Sequence, residues 1–396
     1  MVLARTSSRR GVVRLAGPSH GRTAPTRTRG WAIRRIALVV GPLLLMVAGW
    51  ETWRSLPRGT DISPHEWVPI EAGKNAVWCA VSQLAWQRTE EVVGTRTLEI
   101  DGAGDADGLE VMNRGPFPAD ALDRASYVIG AGGAGTDVAF RAALVKAFGS
   151  VPDGVVVPPV EGNHVAVFAY LRKALPFAVR FDACKTPIAF RTGPMPFVGR
   201  KSVSAFGFDE PREPARATEA PRADDALTQV RLHWQDDETS PSEFILELRT
   251  AARERIFLAR VPPEPTLAET WTSVSRLLSG EGRPLPAFDR LAIPRIDAGR
   301  LFASFDGLLG EIVGSTPSGA RLDAFSTSLR FRLDETGARL DAAAYDGVLL
   351  GGPSSGGRRP SYVFDRPFLL ALMERQATRP YLLLWVGNPD LLVAAE

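Results

Sequence analysis

The sequence predicts an α+β fold with mixed β-sheets and surrounding helices. Segments with the two-residue period of a strand come in runs, and few helical segments separate them; a doubly wound sheet would alternate the two. One strand, over 164–170, is apolar on both faces: Val165, Val167 and Ala169 on one side, Ala166, Phe168 and Tyr170 on the other. Such a strand must be covered on both sides. With 396 residues, 45% hydrophobic and 23% charged, the chain has globular composition and enough length for a sizeable core.

The elements follow in order. Residues 1–35 hold nine Arg and no Asp or Glu in a Ser/Thr/Pro/Gly-rich context, which predicts a disordered basic tail. Residues 36–54 follow Arg34-Arg35 and hold an apolar run, Ile36 to Trp50, flanked by Trp31 and Trp53. It predicts a single membrane anchor with the tail in the cytoplasm and the remainder outside, or a cleaved signal segment that would leave a secreted protein. Residues 55–74 are Pro-rich and read as a linker, with the folded domain over 75–396.

Within that domain, residues 75–93 read as a strand and then a helix, 101–120 as loop, 125–129 as strand, 136–148 as helix and 154–159 as a further strand. Residues 211–225 are Pro- and charge-rich loop. From Leu227 the pattern turns to strands at 230–234, 243–248 and 255–260, then a helix over 266–279 starting near Thr266 or Glu269. Strands at 323–334, 361–372 and 380–386 close the chain.

Several function classes are excluded or weakened. The formal charge of +2 hides an asymmetry: after Arg35 the chain carries 38 basic against 45 acidic residues, so no basic folded face offers itself to nucleic acid. Cys79 and Cys184 lack framework spacing and read as buried thiols, though an exported chain could pair them. No metal-ligand spacing occurs, and the four histidines are scattered, so no metal or cofactor is expected. The run Val128-Ile-Gly-Ala-Gly-Gly-Ala-Gly135 matches GxGxxG between a strand and a helix, where a dinucleotide pyrophosphate would sit. Glu161 is a late ribose ligand for it, and no βαβ alternation follows. A nucleotide-dependent enzyme is thus a third reading; the expectation is that the chain is not an enzyme.

The C-terminal third is the most specific. Leu329-Arg-Phe-Arg-Leu-Asp-Glu-Thr-Gly337 is a strand ending in glycine, about 25 pliant residues follow, and Tyr362–Leu372 opens an apolar hairpin closed by Asn388-Pro389. This order resembles the serpins, the loop-inserting protease inhibitors. Asn75-Ala-Val-Trp-Cys-Ala-Val-Ser82 is similar to that family's buried strand-to-helix segment, Phe148-Gly149 to the end of a helix, Pro176-Phe177 to the end of its central strand, and Leu285-Pro286-Ala-Phe288 to another of its strands. The resemblance implies a reactive-loop hinge at Glu335, Gly337, Ala338, Ala342, Ala343 and Ala344. It implies a scissile region at Leu350-Gly351 or Arg358-Arg359, and buried shutter-like residues Asn75, Cys79, Ser82 and Thr327. The C-terminal signature is Asp365, Arg366, Pro367 and Phe368. The partner implied is a serine or cysteine protease, met by a monomer.

Departures from the family pattern point the other way. Val165 and Lys173 stand where the family has its gate Asn and Trp, and the segment after Gly149 is too short for the long helix that covers the sheet. Arg339 and Asp341 add charge to the hinge. They are two apart, so they share one face of a strand and leave Ala338, Leu340 and Ala342 on the other. The alternative reading is a non-inhibitory binding or structural protein on the same fold.

Overall fold

The computed structural model describes residues 59–395 apart from 119–120, 153–154, 156, 163, 194–199, 213–224, 253, 316–318 and 341–358. The expected tail, membrane segment and most of the reactive-type loop, including Ala342, Ala343, Ala344, Leu350, Gly351 and Arg358, lie outside the described residues. Among the described residues no helix is long and apolar enough to cross a membrane.

The fold is α+β. One large sheet, the core sheet, has the order β1 (Thr60–Ser63), β2 (Asn75–Cys79), β22 (Leu382–Val386), β21 (Phe368–Glu374), β13 (Glu254–Arg260), β12 (Phe244–Arg249), β11 (Val230–Gln235) and β14 (Arg283–Pro284). Its middle strands are apolar on both faces and almost wholly buried, the pattern of strands covered on both sides. The second, the split sheet, runs β3 (Ile100–Asp101), β17 (Gly310–Ile312), β18 (Arg321–Asp334), β19 (Gly337–Leu340) and β6 (Lys173–Pro176). On it β16 (Ile296–Ser304) pairs with β18, β5 (His164–Leu171) pairs with β18, and β4 (Tyr127–Gly132) pairs with β5. A small sheet orders β20 (Ser361–Val363), β15 (Arg290–Pro294), β10 (Ala205–Phe208) and β7 (Asp182–Ala183), and β8 (Ile188–Arg191) and β9 (Arg200–Val203) form a hairpin.

Four α-helices are described: α1 (Ala80–Val93), α2 (Ala106–Met112), α3 (Thr136–Phe148) and α4 (Leu267–Leu277). α4 starts on a capping box: Thr266 Oγ1 accepts from the Glu269 N–H and donates to Glu269 Oε2. α1 lies behind the split sheet in the main core, with Trp86 against Phe325 of β18. α3 lies in front of it, where Phe140 and Leu144 join Val128, Ala166, Phe168 and Tyr170 in a second apolar cluster. The two faces of β5 therefore enter two cores, as its double apolar pattern requires.

Five expectations need correction. Thr60–Ser63 is not linker but a strand parallel to β2, and Val68 is buried, so the folded body begins before residue 75. The expected loop 101–120 contains α2, capped by Asp105, whose carboxylate accepts the Gly108 N–H. No strand forms at Val155 or Val157–Pro159; Pro152, Pro158 and Pro159 remove ladder donors there. Val157 and Val160 instead lie across the second cluster as a strap, and Arg141 Nη2 donates to the Val157 carbonyl. The strand expected over 361–372 is two strands in different sheets, separated at Asp365-Arg366-Pro367. Finally, β4 and β5 are antiparallel, so the GxGxxG run is not the turn of a parallel βαβ unit, and the nucleotide reading loses its basis. Gly130 serves packing, since a Cβ there would meet Phe140 Cβ at 2.9 Å.

A buried polar cluster joins β11 and β12. Glu247 accepts from His233 Nε2 at 2.8 Å and from Arg255 Nε and Nη2 at 3.0 and 2.9 Å. Burial alone would raise this carboxyl, but the His233 and Arg255 hydrogen bonds and the Arg255 and Arg249 charges outweigh it and lower it from near 4.5 to about 2. A group depressed on folding stabilises above its unfolded value and loses that contribution as pH falls through the folded one. Thermal melts from pH 5 to pH 2 should therefore show a loss on the order of 3 kcal/mol attributable to this site. Glu247→Gln should flatten that slope. An unchanged slope in the variant would contradict the assignment.

Candidate functional site

The feature that sets this fold apart is a seam in the split sheet. β5 and β18 run parallel and pair directly from His164↔Arg321 to Tyr170↔Ser328. The chain of β5 then continues as β6, and there the neighbour changes. β18 turns back at Glu335-Thr336, and β19 enters between β18 and β6, antiparallel to both. Leu333 faces Ala338, which faces Leu175; Arg332 faces Arg339, which faces Ala174. The last pair is Leu340↔Lys173. Two neighbouring strands thus fork apart over three residues to admit a third.

The inserted residues fit the pleat. Ala338 and Leu340 are fully buried, and Arg339 between them is exposed. Gly337 is required by close approach: its φ is +139°, and a Cβ would meet the Leu175 carbonyl oxygen at 2.3 Å. The turn before it is held on every side. Asp334 Oδ1 accepts from the Thr336 N–H at 2.8 Å. The Phe181 N–H donates to the Glu335 carbonyl and the Phe177 N–H to the Thr336 carbonyl. The Glu335 carboxylate is nearly buried and pairs with Arg180 at 2.7 Å and Arg295 at 2.8 Å. Arg180 and Arg295 were not singled out in the sequence, because a surface-type arginine carries no local sign of a partner 155 or 40 positions away.

Behind the seam, Ser82 Oγ and Thr327 Oγ1 share a buried hydrogen bond of 2.8 Å. Thr327 is opposite Ala169 of β5, so this bond lies under the last paired stretch before the fork. The other two shutter-like positions lie elsewhere. Asn75 Nδ2 donates to Asn388 Oδ1 at 2.7 Å, and its Oδ1 accepts from the Gly387 and Asn388 N–H groups, fastening β2 to the C-terminal hairpin. Cys79 is the residue before α1, buried and free, with burial pushing its thiol up to about 12. Cys184 is also free.

The C-terminal signature residues occupy the crossing between the small and core sheets. Asp365 accepts from Arg191 Nη2 at 2.6 Å and Arg260 Nη1 at 3.0 Å, and Arg260 also donates to the Pro241, Ser242 and Val363 carbonyls. Phe368 is buried against Phe364 and Phe190, while the Arg366 side chain is half exposed. At the far side of the loop, the Arg359 N–H donates to Asp289 Oδ2 at 3.0 Å, just before β20. The strands on either side of residues 341–358, β19 and β20, therefore belong to different sheets. Among the described residues no His/Cys/Asp/Glu group could hold a metal ion.

No family model matches the chain, and no curated protein matches it. Among solved structures it is similar to human thyroxine-binding globulin complexed with thyroxine, at 14% identity and TM-score 0.43, covering 80% of this chain and 92% of that one. It is similar also to SRPN18 from Anopheles gambiae, at 12% identity and TM-score 0.46 over 81% and 93% of the two chains. A serpin from the trematode Schistosoma haematobium matches at 10% identity and TM-score 0.45 over 80% and 94%.

Gly337→Ala places a Cβ against the β6 backbone and strains φ. It should lower stability by on the order of 2 kcal/mol or more, read in a denaturant or thermal melt. Ala338→Gly, which needs no new space, should lower it less. Equal effects would mean that β19 does not occupy the fork as described.

Proposed function

We propose that this chain is a serpin-like, monomeric protease inhibitor whose split sheet takes up the segment after Leu340 as a strand once a serine or cysteine protease cuts the loop. The observation that supports this most is the short β19 wedge, already antiparallel to both neighbours with its apolar side inward. The domain would act outside the cytoplasm, tethered by residues 36–54 or secreted after their removal.

Register gives the uptake a length. Continuing from Leu340↔Lys173, nine further residues reach His164, the first residue of β5, and nine on from Leu340 is Leu349. Filling the seam therefore consumes the loop to within one residue of Leu350-Gly351, so a cut there would use it fully. In the same register Asp341 would come between Arg172 and Arg330, and Ala342 and Ala344 would continue the inward face. A filled seam would replace one parallel ladder by two antiparallel ones, the slightly more stable pairing per residue. The bond energy of the cut loop does not drive this; the added strand does.

One observation favours the second reading, a binding protein whose loop stays out. Asp346 comes eight residues after Ala338 and would share its inward face, between Val167 and Phe325, which are both fully buried. An unpaired carboxylate in that position opposes complete uptake.

The test is a thermal melt of the full-length chain before and after nicking in the 345–360 loop. Uptake should raise the melting temperature by about 10 °C or more, what roughly 7 kcal/mol produces in a chain this large. Asp346→Ala should enlarge the rise, and a target protease should be retained in an SDS-stable complex. No rise in either chain would leave the binding-protein reading.

A further inference from the structure

Lys173, paired with Leu340 of β19, is a buried lysine in a strand of the split sheet, yet its ammonium belongs to the core sheet. There Glu254 of β13 is directly opposite Glu374 of β21. Like charges in a cross-strand pair repel. Lys173 Nζ reaches both, at 2.6 Å to Glu254 Oε1 and 2.8 Å to Glu374 Oε1. Its side chain is 5% exposed, and those of the two glutamates are 10% and 23% exposed. The ammonium also lies 4.9 Å from the ring centre of Tyr381, which is fully buried. Glu374 Oε1 accepts from the Asp123 N–H as well, whereas Glu254 Oε2 and the Tyr381 hydroxyl are buried without a partner.

The glutamate pair is therefore tolerable only while Lys173 stays between the sheets, and salt screens a buried triad poorly. We infer that Lys173, Glu254 and Glu374 form an electrostatic latch that fastens β6 to the core sheet at the fork, beside the Leu340↔Lys173 pair. The regulation rests on the strand-uptake reading: further entry requires β5 to part from β18 just beyond Lys173, while the core sheet holds the ammonium of the adjoining β6. An apolar or aromatic residue at 173 would let the strand slide; this chain has a charge with two fixed partners.

The test compares the full-length chain with the neutral triple variant Lys173→Met, Glu254→Gln, Glu374→Gln, and with Glu374→Gln alone as a milder change. After nicking, the triple variant should acquire its higher melting temperature at least about tenfold faster than the parent, with Glu374→Gln between them; equal rates in all three would overturn the latch. Native-state hydrogen exchange gives a second reading that needs no uptake. Amides of 165–175 should exchange about tenfold faster in the triple variant, with amides of β12 unchanged. If nicking stabilises no chain but this local exchange rises, the uptake reading fails and the latch stands. If exchange rises equally in β6 and β12, the triad is only a general stabiliser and the latch fails.

Discussion

A parallel strand pair that has been opened at one end by a third strand is an unfinished sheet. Everything distinctive about this protein depends on that arrangement of β5, β18 and β19. Seven register pairs hold β5 to β18, and four residues of β19 hold them apart further on. On the proposed uptake, inserting more residues would add ladder hydrogen bonds. The physical question is what balances the gain.

Three groups of contacts bear on it. The sheet is sandwiched, with α1 behind and α3 and the strap of Val157 and Val160 in front, so its strands cannot part without disturbing two apolar clusters. Close packing makes such layers resist gradual deformation. The Ser82–Thr327 hydrogen bond lies behind the paired stretch. At the fork itself, Lys173 ties β6 to Glu254 and Glu374. The turn between β18 and β19 is equally constrained from outside, since Glu335 is pinned by Arg180 and Arg295 and Gly337 fits where no side chain would.

Local features of this design were legible in the sequence. The double apolar pattern of β5 announced a strand between two layers, and the alternation after Gly337 placed Ala338 and Leu340 opposite Arg339 in the pleat. The helices α3 and α4 declared themselves by period, with Thr266 or Glu269 near the start of α4. Long-range polar pairing was not legible. Asn75 meets Asn388, and Lys173 meets Glu374, because the fold brings them together, and no local pattern encodes such partners. β1 was hidden because Pro64, Pro69 and nearby charges read as linker, although backbone pairing with β2 needs no apolar pattern. The break at Asp365 was hidden because its partners Arg191 and Arg260 are far upstream. Lys173 drew notice only as a departure, and its meaning required the opposing glutamates.

The central claim is that the seam between β5 and β18 receives the loop. A crystal structure of the full-length chain after loop cleavage tests it most directly, through the spacing of β5 and β18 near Ala169 and Thr327. The account predicts that these strands move from adjacent, about 4.8 Å apart, to about twice that spacing, with a new antiparallel strand between them. Strands still paired as Ala169↔Thr327 after cleavage, with the loop outside the sheet, would contradict it.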